Sequence, residues 1–84
     1  MKIVVYSKDD CSFCNRARDL LTSKQLEFRE YKLGKDFTRE ALKGIFPNAK
    51  TYPVITIDNI YIGGYNELDE LLKDEVERRY RKQA

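Results

Sequence analysis

Lys2 is followed by Ile3, Val4, Val5 and Tyr6, a β-branched run with no alternation between apolar and polar residues. A strand of that composition is buried on both faces, as at the centre of a sheet covered by helices. This narrows the chain to layered α/β architectures, in which each helix buries one apolar stripe against the sheet. With 84 residues there is room for one domain, residues 1–84, so recognition and chemistry share a single core.

Ser7 to Asp10 reads as a loop. From Ser12 to about Lys24 the pattern becomes helical, with Phe13, Ala17, Leu20 and Leu21 recurring at spacings of three and four. Cys11 therefore stands at the entrance of that helix. Glu27 to Leu33 sets Phe28 and Tyr31 among charged residues and predicts a second strand, which Gly34 ends. A second helix is expected from about Asp36 to Ile45. Two strand-like runs, Pro53 to Ile57 and Ile60 to Ile62, flank Asp58-Asn59, a pair that tolerates positive φ in a two-residue hairpin turn. After Gly63-Gly64, the residues Leu68, Leu71, Leu72, Val76 and Tyr80 mark one face of a final helix starting at Asn66. The order is βαβαββα, with helices packed on a four-stranded sheet.

Composition excludes several classes of function. The 16 basic and 14 acidic residues are spread along the chain, far from the one-sided excess of a nucleic-acid binder. The basic end, Arg78, Arg79, Arg81 and Lys82, reads as a solvated last helical turn, where cations complement the dipole. No apolar run approaches the length of a membrane span, and Ile3 to Tyr6 is too short for a signal-peptide core. A soluble, intracellular protein is expected.

Cys11 and Cys14 close almost no loop, so a disulfide between them contributes little as a staple. Reactivity explains the pair better. Thiolate is the nucleophilic form, and the free N–H groups and positive end of a helix stabilise it, so the Cys11 thiol should lie below its ordinary pKa of about 8.5. One turn on, Cys14 can face Cys11 sulfur to sulfur and displace a mixed disulfide formed there. Lys8, three residues before Cys11, can add positive charge near the thiolate, meet a substrate carboxylate, or simply stand in solvent. A tetrahedral zinc site would need four ligands, and the chain has no histidine and no third cysteine.

Tyr6-Ser7-Lys8, Cys11-Ser12-Phe13-Cys14, Thr51-Tyr52-Pro53 and Gly63-Gly64, in this order and spacing, resemble the glutaredoxins, particularly the short bacterial and phage members. The resemblance spans nearly the whole chain. Thioredoxins proper usually carry tryptophan beside the first cysteine, and this chain has none. The resemblance implies a thioredoxin-like fold, a mixed sheet with helices on both faces, and glutathione-dependent thiol-disulfide oxidoreductase activity. It implies catalytic roles for Cys11 and Cys14 and a cis Pro53 facing Cys11. It implies that Tyr52 offers its backbone to extended glutathione, that Lys8, Phe13, Lys50 and Thr51 line the groove, and that Gly64, Tyr65 and Asn66 hold the γ-glutamyl carboxylate. A helix N-terminus suits that anion. Gly63-Gly64 equally reads as a tight turn and Asn66 as an N-cap.

The same resemblance implies no tightly bound cofactor, glutathione as co-substrate, and disulfide or glutathionylated proteins as partners, a ribonucleotide reductase among them. It implies a monomer without nucleic-acid or membrane partners, in the cytoplasm, the host's if the chain is phage-encoded. Three departures bear on substrate preference: Ser12-Phe13 replaces proline and tyrosine, Tyr52 replaces valine, and Tyr65-Asn66-Glu67 replaces cysteine followed by acidic residues. Some glutaredoxins with serine after the first cysteine bridge an iron-sulfur cluster between two subunits, and Ser12 keeps that second reading open, with Cys11 as the metal ligand. A third reading is a redoxin reduced by thioredoxin reductase.

Overall fold

In the computed structural model, which describes residues 1–73, the first strand β1 spans Ile3–Ser7. Ile3, Val4 and Val5 are all buried, so the unbroken apolar run serves both faces of the sheet. The strand starts one residue later and ends one residue later than expected, and Lys2 instead pairs with the distant turn residue Asp58. β1 pairs in parallel with β2 (Phe28–Lys32) and antiparallel with β3 (Val54–Ile57), which pairs antiparallel with β4 (Ile60–Gly63). The sheet order is β2-β1-β3-β4, a mixed sheet with β1 inside it, as expected.

Helix α1, Ser12–Ser23, buries Cys14, Ala17 and Leu21, which share one face at spacings of three, four and seven. It stops as Gln25 takes a left-handed φ of 57°. Phe28 pairs with Ile3 and Tyr31 with Tyr6, so these two residues of β2 lie on opposite faces. Helix α2 is shorter than predicted, Arg39–Ile45. Its first expected residue, Asp36, belongs to a turn and the next, Phe37, bridges to Leu33: Gly34 has φ 86° and donates to the Phe37 carbonyl, and the Asp36 carboxylate accepts from the Lys32 amide. The helix begins where Thr38 can cap it, its hydroxyl accepting from the Ala41 amide.

The hairpin follows the sequence reading, with Asp58 and Asn59 both at positive φ. Pro53 has no N–H to give a ladder, and β3 starts one residue after it. A third helix, α3, covers residues 65–73. It starts one residue earlier than expected, with Gly64 as its cap: the Gly64 carbonyl accepts from the Leu68 amide. Asn66 is therefore already inside the helix and is not its N-cap. The readings at Val76, Tyr80, Arg78, Arg79, Arg81 and Lys82 lie outside the described residues.

One face of the sheet carries the aliphatic core, in which Ile3, Val5 and Ile55 pack against Ala17 and Leu21 of α1 and Leu68 and Leu72 of α3. The other face is aromatic. Tyr6 places its ring 5.5 Å from that of Phe37 and 5.7 Å from that of Phe46, at the end of α2. Helices thus cover both faces, and the C-terminal end of β1 delivers the chain to the cysteine pair. Among the described residues no helix is long and apolar enough to cross a membrane.

Candidate functional site

The chain leaves β1 at Ser7, turns through Asp10 at a left-handed φ of 54°, and enters α1 with Cys11 in extended conformation. Cys11 is itself the N-cap of α1. Its Sγ accepts from the Cys14 amide at 3.1 Å, and its carbonyl accepts from Asn15. A sulfur in this position meets a free helical N–H and the positive end of the helix, which favour negative charge there. Cys11 and Cys14 are joined by a disulfide, with Cα atoms 5.2 Å apart. The two are not equivalent to solvent: Cys11 is 9% exposed and Cys14 only 1%.

Behind the pair, a polar network ties three elements together. The hydroxyl of Ser7, fully buried, donates to the Glu30 carboxylate at 2.7 Å. Arg18 of α1 grips the same carboxylate with two donors, Nε at 3.0 Å and a terminal nitrogen, and donates to the Asn15 side chain at 2.8 Å. The Arg18 hydrogen bonds hold the Glu30 carboxyl below its ordinary value, against the opposing effect of burial, and Glu30 in turn raises Arg18. The first turns of α1 are thereby fastened to the end of β1 and the middle of β2. Arg18 and Glu30 were not singled out from the sequence, and Ser7 was named there only within the Tyr6-Ser7-Lys8 motif.

In front of the pair lies a cleft of about 720 Å³. Cys11, Lys8, Phe13, Lys50, Thr51 and Tyr52 line it, so most of the predicted groove residues meet at one place. The Tyr52-Pro53 peptide bond is cis, as the resemblance implied, and Pro53 itself is buried. Lys8 holds its ammonium 5.5 Å from the centre of the Tyr52 ring, within reach of a cation–π attraction. The opposite wall was missed: it is the face of α2 carrying Arg39, Leu42, Lys43 and Phe46. Their spacing of three, four and seven was visible in the sequence as a stripe, but nothing there told which surface it would face.

Gly64, Tyr65 and Asn66 do not line this cleft. The Tyr65 ring stands 6.0 Å from that of Phe13, and a Cβ on Gly64 would lie 3.3 Å from the Pro53 carbonyl oxygen. Gly63 has φ 122°, and a Cβ there would strike the Glu67 carboxylate. That carboxylate reaches back to accept from the Gly64 amide at 2.8 Å, the glutamate half of a capping box. The amides of residues 65–67, in the first turn of α3, have no acceptor within the helix.

Residues 3–62 match the glutaredoxin family model. The chain is 38% identical over 68 residues to a probable glutaredoxin of Synechocystis sp., covering 80% of this chain and 77% of that protein. Its structure is similar to that of the dithiolic glutaredoxin 2-C-Grx1 of Trypanosoma brucei brucei, with a TM-score of 0.74 and 32% identity, over 87% of this chain and 78% of the other. A buckwheat glutaredoxin in complex with glutathione has a TM-score of 0.75 at 25% identity, over 87% of this chain and 69% of that one.

Proposed function

The chain belongs to the glutaredoxin family and is a thiol-disulfide oxidoreductase with Cys11 and Cys14 as its redox pair, and from that premise we propose how it divides the work between the two cysteines and where it holds glutathione. Cys11 is the nucleophile and Cys14 the resolving thiol. The observation that carries this is the asymmetry at the helix entrance: the Cys11 sulfur borders the cleft and receives the Cys14 amide, while the Cys14 sulfur is buried behind it.

With the pair reduced, Cys11 thiolate attacks the glutathione sulfur of a glutathionylated substrate. An S–S bond forms between Cys11 and glutathione, and the substrate leaves as a thiolate that takes up a proton. A second glutathione, as thiolate, attacks the mixed disulfide, giving glutathione disulfide and restoring Cys11. This route needs one cysteine. For a disulfide within a protein, Cys11 forms the mixed disulfide with substrate, Cys14 thiolate displaces it, and two glutathione molecules then reduce the Cys11-Cys14 bond, with formation of one glutathione disulfide.

Glutathione lies across the site with its cysteine beside Cys11 and its backbone along Tyr52, which lines the cleft. Lys8 and Lys50 take the glycine carboxylate and Phe13 and Thr51 flank the chain, while Gly64, Tyr65 and Asn66, outside the cleft lining, offer the start of α3 to the γ-glutamyl carboxylate. Cytoplasm, where glutathione is the abundant thiol, is the matching compartment, and a ribonucleotide reductase disulfide is a matching substrate. The test is turnover of a glutathionylated peptide with glutathione. Cys11→Ser is expected to be inactive, and Cys14→Ser to keep this activity while losing reduction of an intramolecular protein disulfide. A Cys14→Ser enzyme that is dead on the glutathionylated peptide beside an active Cys11→Ser would reverse the roles.

A further inference from the structure

Cys11 is the joint between two bodies. Before it, the loop of residues 8–10 leaves β1 and turns at Asp10, whose φ is 54°; after it, α1 begins, with Cys11 itself extended at φ −120° and ψ 104°. A shift of α1 against β1 is therefore absorbed at the residue that carries the reacting sulfur. Apolar packing alone does not prevent such a shift. Ala17 and Leu21 pack with Ile3, Val5 and Ile55, and burial of that kind is non-directional: it favours contact more than it fixes orientation.

One carboxylate bridges the joint. Glu30 accepts from the buried Ser7 hydroxyl, four residues before Cys11, at 2.7 Å, and from Arg18 Nε, seven residues after it, at 3.0 Å. Arg18 carries the connection back toward the sulfur. Its guanidinium donates to the Asn15 side chain at 2.8 Å, and the Asn15 amide donates to the Cys11 carbonyl at 3.2 Å. The loop's own ion pair, Asp9 with Lys32 at 3.2 Å, is well exposed and holds it less firmly. Stability does not explain why a carboxylate stands here. A partly buried ion pair contributes little, and apolar side chains of the same shape would hold α1 to the sheet as well or better. What the hydrogen bonds add is direction, since a guanidinium fork on a carboxylate fixes both distance and orientation.

We propose that Glu30 is a positioning residue for the redox reaction: by holding Ser7 and Arg18 on one carboxylate, it fixes α1 against β1 and keeps the Cys11 sulfur both against the Cys14 amide and at the edge of the cleft. This rests on Cys11 being the nucleophile, as above. Glu30 does not line the cleft, and acts through Ser7, Arg18 and Asn15.

The charge of Glu30 and its position act on the Cys11 thiolate in opposite directions. As an anion, Glu30 disfavours a second negative charge and neutralises Arg18, so through charge alone its removal would make the thiol more acidic. As a clamp, it holds the sulfur where the Cys14 amide favours the thiolate, so its removal makes the thiol less acidic. The other charged or titratable groups nearby are unchanged by the substitution: Lys8 and Asp10 on the loop, Arg39 and Lys43 on α2, Lys50 and Tyr52 before Pro53, Arg16 over the Phe13 ring, and Lys32 beside Glu30.

The test is the rate at which iodoacetamide alkylates the reduced protein, followed against pH, with the modified cysteine identified by mass. The midpoint for Glu30→Ala is expected about one pH unit above that of wild type, the scale of losing one hydrogen bond to a charged group. Glu30→Gln, which keeps the shape and can still accept one bond from Arg18, should rise by less, and it serves if the alanine variant folds poorly. For a glutathionylated peptide, kcat/KM should fall several-fold at pH 7 and recover above both midpoints. An unchanged midpoint in a folded but less stable variant would reduce Glu30 to a structural role, and a lowered midpoint would leave only its charge; either result overturns the proposal. Alkylation of Cys14 ahead of Cys11 in the wild type would instead overturn the assignment of the nucleophile, and this proposal with it.

Discussion

On one face of the sheet, Ile3, Val5 and Ile55 are sealed beneath Ala17 and Leu21 of α1 and beneath Leu68 and Leu72 of α3. On the other, Tyr6 meets the rings of Phe37 and Phe46, and Phe46 reaches on to the exposed ring of Tyr61, 5.7 Å away. Branched aliphatic side chains interdigitate and close, whereas planar rings meeting at varied angles leave edges in water. The cleft opens on the aromatic side, with Phe46 in its wall. The closed face thus carries most of the packing while the cleft opens on the other, and a mutation in the middle of either should reveal its face by what it damages.

The largest effect belongs to the closed face. Leu21 is fully buried, and Leu21→Ala should cost about 3 kcal/mol, seen as a lower urea midpoint, with kcat/KM of the folded protein near the wild-type value. A variant of full stability and poor activity would break the comparison. On the open face, Phe46→Ala removes a half-buried ring and should cost about 2 kcal/mol, short of the 3–5 for a buried one, while raising the KM for substrate several-fold. If activity were untouched, the aromatic wall would be packing alone.

The smallest effect lies at the edge of the closed face nearest the cysteines, where Ser7, Glu30 and Arg18 replace apolar packing. Glu30→Gln keeps the shape and loses the charge, and at pH 7 should cost about 1 kcal/mol, since the pair is partly exposed. The Glu30 carboxyl is held below its ordinary 4.5, chiefly by Arg18. Its contribution is therefore complete above about pH 4.5 and disappears as the pH falls through the lowered value. Unfolding of wild type and variant followed against pH should show two curves that separate at neutrality and merge in acid. Curves that stay parallel would remove the ion pair from the account.

Elements with a local cause were legible in the sequence. The unbroken Ile3–Tyr6 run, the helix opening beside Cys11 and the Asp58-Asn59 turn all came through, because burial on two faces, a 3.6-residue period and tolerance of positive φ are properties of short segments. Glu30 was not legible. In a strand of mixed charge it reads as solvent-facing, and only pairing with Val5 turns it inward toward Ser7 and Arg18. Asn66 was misread for a related reason: a good capping residue was present, but the Gly64 carbonyl had already begun the helix, and it is Glu67 that reaches back to the Gly64 amide. Arg39, Leu42, Lys43 and Phe46 were not singled out, because nothing in a helix's own sequence tells that its face will border the cleft beside Cys11.

The sulfur that caps α1 is the atom on which the chemistry takes place. Its charge changes during each cycle, from thiolate to disulfide and back, so the bond to the Cys14 amide strengthens and weakens with the oxidation state. The helix end acts as a gauge of the electron count at Cys11. This also separates two kinds of inactive enzyme. Cys11→Ser keeps an oxygen where α1 needs an acceptor and silences only the chemistry, whereas Cys11→Ala silences the chemistry and loosens the helix that presents it.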